Sequence, residues 1–217
     1  MSAASQATGK ENARAARRAV IPVLLWFGAA CVSALAIAPP SRAQAYNITL
    51  DPASTKIEFT LDTTLHTVHG TFQLKSGQIH FDAATGKATG AIVVDARSGD
   101  TGNSSRDKKM HQQILESQKF PEITFTPQQV QGAFHPEAAS QLQISGTFQL
   151  HGQTHPLTAA ISVQPSSATQ LQSAVHFTIP YKDWGLKDPS TFLLRASDTV
   201  VLEIDALTRI TPDQAAH

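Results

Sequence analysis

Apolar and polar residues alternate along most of this chain in short runs separated by turn-forming residues. Lys56–Leu61 places Ile57, Phe59 and Leu61 on one face, and Val68–Leu74 does the same with Val68, Phe72 and Leu74. Gly77–Phe81 presents Ile79 and Phe81, Asp82–Lys87 reads as a hairpin loop, and Ala88–Ala96 follows with Ile92 and Val94. After a break come Ile123 and Phe125, then Leu142, Ile144, Phe148 and Leu150, then Leu157, Ala159, Ile161 and Val163. Leu171, Val175, Phe177 and Ile179 continue the rhythm, and Val200, Leu202 and Ile204 close it. A period of two predicts antiparallel strands with one wet and one dry face. Dry faces this rich in Phe, Leu and β-branched residues must close on themselves or pack on a second sheet. The pattern therefore predicts an all-β barrel or sandwich of about eight strands. Gly70, Gly90 and Gly146 fall inside strand runs, where glycine marks bends and bulges, and this favours the barrel. Residues 132–140 and 164–170 read as loops, and 208–217 as a disordered tail.

The rhythm breaks between Asp100 and Phe125. Asn103 or Ser104 can cap a helix, Ser104-x-x-Asp107 resembles a capping box with Asp in place of Glu, and Pro121 ends the segment. Met110, Ile114 and Leu115 form a narrow apolar stripe. One short helix over Asn103–Glu116 is expected to cap the barrel mouth as a lid or plug. Gly-Thr-Phe-Gln-Leu occurs at 70–74 and again at 146–150, but the flanks differ, so these read as two similar strands rather than a duplication.

Residues 1–45 read as an export signal. Arg14, Arg17 and Arg18 precede an apolar stretch from Ala19 to Ala38, and Ala43-Gln44-Ala45 offers a small-x-small cleavage site. A membrane anchor is the alternative, since the stretch approaches bilayer-spanning length. Pro22, Pro39 and Pro40 favour the signal. The Arg17-Arg18 surroundings fit twin-arginine export poorly. Gly28, three positions before Cys31, argues against a lipoprotein signal. Export, with a periplasmic destination in a two-membrane cell, is the expectation. The chain holds 17 basic and 17 acidic residues, and the first 45 carry five Lys/Arg and one Glu, so the remainder has a net charge of −4. Such a balance excludes the basic surface that nucleic-acid binders need. Cys31 is the single cysteine, so the expected exported domain, 46–207, has no disulfide, thiol chemistry or Cys-based metal site.

With these residues in order, the chain resembles the YceI family of exported, lipocalin-like proteins. The matching pieces are Asp51-Pro52-x-x-Thr55-x-Ile57-x-Phe59, His69-Gly70-Thr71-Phe72, Gly77-x-Ile79-x-Phe81-Asp82, and Asp100-Thr101-Gly102-Asn103-x-x-Arg106-Asp107. Phe120-Pro121-x-Ile123-x-Phe125, the run from Gly146 to Leu157, Trp184-Gly185-Leu186, and Val200-x-Leu202-x-Ile204 complete the set. Asp188–Arg195 resembles one subgroup. The helix departs from the pattern: Lys108-Lys109-Met110 and Ile114-Leu115-Glu116 stand where the family more usually has His-Leu and Phe-Phe-Asp. The resemblance implies an eight-stranded antiparallel barrel with an elongated apolar cavity. It also implies a long lipid-like ligand, a polyisoprenoid or fatty-acid derivative, and no settled catalytic site.

The candidate cavity residues are Phe59, Phe72, Phe81, Ile92, Val94, Phe125, Phe148, Val175, Phe177, Trp184 and Ile204. Packing and cavity lining use the same residue types, so a filled-core stress-response or interaction module without ligand stands as one rival reading, and a lipid-modifying enzyme with polar groups pointing into the barrel as the other. Arg106, Lys182 and Arg195 are the candidates to meet an anionic head group at the mouth. His66, His69, His80, His135, His151, His155 and His176 invite a metal reading. In a strand, however, residues three apart face opposite sides, and no set of three or four ligands is legible. Glu58 with Asp62, or Asp183 with Asp188, would be the acids of a glycosidase, though charges on a wet face are usually just solvated. No nucleophile elbow occurs. The expectation is thus a non-enzymatic carrier of an apolar molecule, with no cofactor, no nucleic-acid partner and transient membrane contact. Its oligomeric state, a homodimer included, is left open.

Overall fold

Eight antiparallel strands close into a barrel, each hydrogen-bonded to the next and the eighth to the first. The structure is a computed structural model and describes residues 44–213. The strands are β1 (Ala45–Asp62), β2 (Thr67–Asp82), β3 (Ala88–Asp100), β4 (Glu122–Gln131), β5 (Ser140–Leu150), β6 (Gln153–Ser167), β7 (Gln170–Ile179) and β8 (Val200–Pro212). Between β3 and β4 lie α1 (Ser104–Lys109) and a π turn over Met110–Ile114. The export signal expected over 1–45 lies outside the described residues except for its last two positions, and Ala45 already pairs with Asp82.

Two neighbouring irregularities explain why β1 and β2 look fragmentary in sequence. Ile48 and Leu50 face the lumen from even positions, whereas Ile57, Phe59 and Leu61 do so from odd ones. The switch occurs in a bulge, where pairing with β2 breaks between Leu50 and Ile57. Asp51 closes this bulge. Its carboxylate accepts hydrogen bonds from the Ala53 amide at 3.1 Å and the Ser54 hydroxyl at 2.9 Å, while its carbonyl accepts from Thr55 Oγ1 at 2.7 Å. In β2 the same change of parity separates Leu74 from Ile79, beside a register shift against β3. The runs 68–74 and 77–81 are therefore one strand, because a bulge resets which side chains point inward.

Two loop expectations need correction. β6 extends to Ser167 and β7 starts at Gln170, so most of 164–170 is strand joined by a tight turn. The expected tail from 208 is strand as far as Pro212: Thr208 pairs with Leu50 and Pro212 with Tyr46, because β1 starts early enough to give β8 a partner. The loop expected at 132–140 does connect strands, and it also supplies Phe134. That ring packs edge-on against Tyr46 at 5.3 Å and Phe81 at 5.5 Å.

The glycines serve close approach. Gly90 has φ +115°, and a Cβ there would strike the Gln78 carbonyl of β2. Gly70 lies beneath the Phe59 ring, and a Cβ would also come within 2.8 Å of the Asp100 carbonyl.

The up-and-down order puts the connections 63–66, 101–121, 151–152 and 180–199 at one end, here the upper, and the other three at the lower end. The lower end is packed by Tyr46, Phe81, Leu142, Val163, Leu171 and Ile210, with Phe134 against them. Leu171 is among the most completely enclosed side chains. Leu171→Ala is expected to destabilise the barrel by about 2–4 kcal/mol, as measured by urea unfolding.

Candidate ligand-binding site

Because the dry faces of all eight strands point inward, the lumen is apolar, and its side chains do not fill it. An upper chamber of about 380 Å³ lies beneath the helix, and a lower chamber of about 160 Å³ lies towards the Phe134 end. Both are bounded by the same six residues: Ile57, Val94, Ile123, Phe148, Phe177 and Ile204. These form a waist of three neighbouring pairs. Ile57 is registered with Ile204, Val94 with Ile123, and the Phe148 and Phe177 rings meet edge-on at 6.1 Å. The lower chamber is almost purely apolar, and its Thr208 hydroxyl is satisfied by the Leu171 carbonyl at 3.1 Å.

The lid begins where Asn103 caps α1, its side chain accepting from the Arg106 amide at 3.0 Å. The expected capping box does not form, because Asp107 turns back to accept from the Thr101 amide at 2.9 Å and the Thr101 hydroxyl at 2.6 Å. α1 gives way to the π turn, in which the Leu115 amide donates to the Met110 carbonyl at 2.8 Å. In an α-helix of 3.6 residues per turn, positions five apart diverge by roughly 140°. The wider turn brings Leu115 back over Met110, so Met110, Ile114 and Leu115 all face the upper chamber. His111 fixes the seat: its Nε2–H donates to the Gly99 carbonyl at 2.8 Å, which leaves Nδ1 to accept from the Ser117 hydroxyl at 3.0 Å. Gly99 must be small, since a Cβ would approach Phe72 at 2.7 Å and Met110 at 2.8 Å.

The sequence-derived cavity residues distribute between the chambers. Phe59 and Phe72 line the upper one. Phe81, Ile92, Phe125 and Val175 line the lower, while Val94, Phe148, Phe177 and Ile204 belong to the waist. Trp184 lines neither: its indole stacks flat on His155 at 4.2 Å and lies 5.7 Å from Phe148, behind the lining. The three head-group candidates separate. Arg106 borders the upper chamber, held there by Nε donating to Thr101 Oγ1 at 2.8 Å and Nη2 to the Thr101 carbonyl at 2.9 Å. Lys182 does not border it, because its ammonium is clamped by Asp188 at 2.8 Å and Asp198 at 2.7 Å. Arg195 is exposed, and its backbone joins the 63–66 turn.

Lys109, His66 and Tyr181 are polar residues of the upper chamber that the strand pattern gave no reason to select. Lys109 Nζ donates to the Pro189 carbonyl at 2.7 Å and ties the lid to the 180–199 segment. Tyr181 donates to the Ser197 carbonyl at 2.8 Å, and burial pushes its phenol up to about 12. Hydrogen bonds from Lys182 and Ser190 pull Asp188 down to about 2.

The histidines do not converge. His69 bonds Thr60, His80 approaches Asp213, and His176 approaches Glu203. His151 lies 3.6 Å from Glu116, while His155 lies under Trp184. Among the described residues no cluster of three or more His, Cys, Asp or Glu is placed to hold a metal ion. Of the suggested acids, Glu58 pairs with Lys56 at 2.8 Å and Asp188 with Lys182.

A family model for the YceI-like domain matches residues 48–207, which span the barrel almost from end to end. The chain belongs to the YceI-like family. Curated relatives include UPF0312 proteins of Vibrio cholerae O1 strains, 30% identical over 92 residues, a stretch that is 42% of this chain and 47% of theirs. The match thus spans about half the length of those relatives. Among solved structures, a polyisoprenoid binding domain from Saccharophagus degradans, implicated in plant cell wall breakdown, aligns with TM-score 0.59 at 18% identity. It covers 76% of this chain and 98% of that domain. Burkholderia cenocepacia BcnA aligns with TM-score 0.60 at 14% identity, covering 73% and 98%. At such identities these two likenesses show the YceI-like barrel fold.

The depressed Asp188 sets a pH test. A carboxylate held below its ordinary value near pH 4 adds stability above that value and loses it as the pH falls. The 180–199 segment is therefore expected to loosen between roughly pH 4 and the Asp188 value of about 2. Asp188→Asn should remove that part of the acid dependence, as read from amide exchange across the pH series.

Proposed function

We propose that this protein is an exported, non-catalytic carrier that holds a long apolar chain in its lumen within the cell envelope. The single observation that carries this reading is the pair of apolar chambers along the lumen that share six waist residues, space that suits something long and thin. A purely structural barrel would be expected to close such space with larger side chains, since voids beyond water size are few in well-packed interiors. Each methylene moved from water into the lumen contributes about 0.8 kcal/mol, so a chain reaching through the waist is bound more tightly than one stopping above it. The polyisoprenoid binding of the Saccharophagus degradans domain supports a prenyl or fatty-acyl ligand here.

Polarity sets the orientation. The lower chamber offers nothing to a charged group, whereas Arg106 and Lys109 stand at the upper one without a carboxylate ion pair among the described residues. The apolar tail would point down and a polar or anionic head group would meet Arg106 and Lys109 beneath the lid. Lys182 is better read as a structural clamp of the 180–199 segment. The Arg14–Ala45 pattern supports export, and membership of the YceI-like family together with the likeness to a polyisoprenoid binding domain supports binding rather than catalysis.

Native mass spectrometry of gently purified protein, with solvent extraction, is expected to show a stoichiometric apolar adduct. An adduct-free mass, with no uptake of prenyl or long fatty-acyl lipids on titration, would sink the carrier reading. A second test narrows the waist. Val94→Trp should weaken long-chain fatty acids by at least about tenfold, since each excluded methylene removes about 0.8 kcal/mol. A short acyl chain confined to the upper chamber, which Val94 borders at its floor, should lose much less affinity than the long chain, as read by calorimetric titration.

A further inference from the structure

Large apolar side chains that stand in water are scattered singly on most proteins and then need no explanation. Here they gather. The three highly exposed ones among the described residues are Leu65 at 68%, Phe192 at 95% and Leu193 at 78%. All three belong to upper-end connections, and the two segments that carry them are joined. The Thr64 amide donates to the Arg195 carbonyl at 2.9 Å, and the Arg195 amide to Thr64 Oγ1 at 3.2 Å.

Each apolar tip stands on a closed turn whose feet border the upper chamber. Thr191 and Leu194 line the chamber and are locked by the Thr191 amide on the Leu194 carbonyl at 2.8 Å, which leaves Phe192 and Leu193 projecting between them. Thr63 and His66 line it as well and are locked by the Thr63 amide on the His66 carbonyl at 3.2 Å, which leaves Leu65 projecting. The exposed tips thus stand directly on residues that line the upper chamber.

Charge agrees with the same surface. The four upper-end connections carry seven basic and five acidic residues, a net +2, whereas the described chain carries twelve basic and sixteen acidic, leaving −6 on the rest. Two of the five acids, Asp188 and Asp198, are already clamped on Lys182. Asp62 and Asp100, which end β1 and β3 beside these connections, offset that excess, but the 63–66 and 191–195 turns themselves carry Arg195 and no acidic residue, so an anionic surface would favour these turns over the acidic remainder.

We propose that the 191–195 and 63–66 turns form a docking tip for an anionic lipid surface, with Phe192, Leu193 and Leu65 entering the interface and the chamber mouth held against it. The role in loading rests on the carrier reading given above, whereas docking itself stands on the tip's apolarity and charge. A ligand that moves directly from bilayer to lumen never exposes its chain to water, which is the slow step for a long apolar molecule.

The test uses the full chain with mixed phosphatidylcholine and phosphatidylglycerol vesicles, in parent and Phe192→Ser/Leu193→Ser forms. Site-resolved amide exchange should slow at 63–66 and 191–195 on adding vesicles, and not at the distal 83–87 and 132–139 turns. The double variant should lose that protection. It should also take up a fluorescent long-chain fatty acid from vesicles about tenfold more slowly or worse, while taking up the same probe dispersed in buffer at the parent rate. Parent turns that stay unprotected, or equal vesicle uptake by both forms, would overturn docking and leave the carrier reading standing. Protection that appears without vesicles and grows with protein concentration would overturn it in favour of self-association. If neither form takes up the dispersed probe, the carrier reading fails, and protection of the tip by vesicles alone still decides the docking.

Discussion

A sheet that closes on itself has no free edge, and that closure fixes the lumen's width before any side chain is chosen. Eight strands give a lumen that inward-facing Phe, Ile and Val can span at one level but not at all levels. They meet at the waist, where Ile57, Val94, Ile123, Phe148, Phe177 and Ile204 contribute to both chambers. Each strand is hydrogen-bonded to both neighbours, apart from the breaks at the β1 bulge and the β2 irregularity, so the barrel is finished at its two ends. The remaining architecture is a matter of how each end is finished.

The two ends are finished by different means. At the lower end, Phe134 folds in from a connection and meets Tyr46 and Phe81 edge-on, an aromatic arrangement worth about 0.5–1.5 kcal/mol per pair beyond the area it buries. At the upper end the closure is a short helix held by few fastenings: His111 on Gly99, Lys109 on Pro189, and the apolar face formed by Met110, Ile114 and Leu115. Local opening starts where fastenings are few and backbone is exposed. The asymmetry puts the lightly fastened boundary beside the polar side chains and the aromatic-packed boundary beside the almost purely apolar chamber.

Much of this was legible in the pattern of the chain. The dry faces named the strands, and ten of the eleven suggested cavity residues do border the lumen. The exception, Trp184, lies in an irregular connection, where no periodicity says which way a side chain points. The bulge at Asp51–Ser54 and the matching irregularity in β2 were hidden because a bulge changes parity without changing composition. The strand from 208 to Pro212 was missed because its partner, the start of β1, abuts the segment that reads as a signal. Lys182 looked like a free cation because its acids lie six and sixteen positions away, brought together by a fold of the chain that has no local signature. Phe134 looked like a loop residue, and it is one, but it folds back inside.

The waist has a kinetic side. One of its three pairs is the edge-on Phe148 and Phe177, whose ring centroids lie 6.1 Å apart. A molecule confined above them needs lid motion alone to leave. One threaded below them must also wait for two packed aromatic rings to turn aside, an event set by the core's rigidity rather than by the lid's fastenings. On the carrier reading, residence time in this barrel would rise in a step at the chain length that first crosses the waist, so the lumen would sort guests by how long they stay as well as by how tightly they bind.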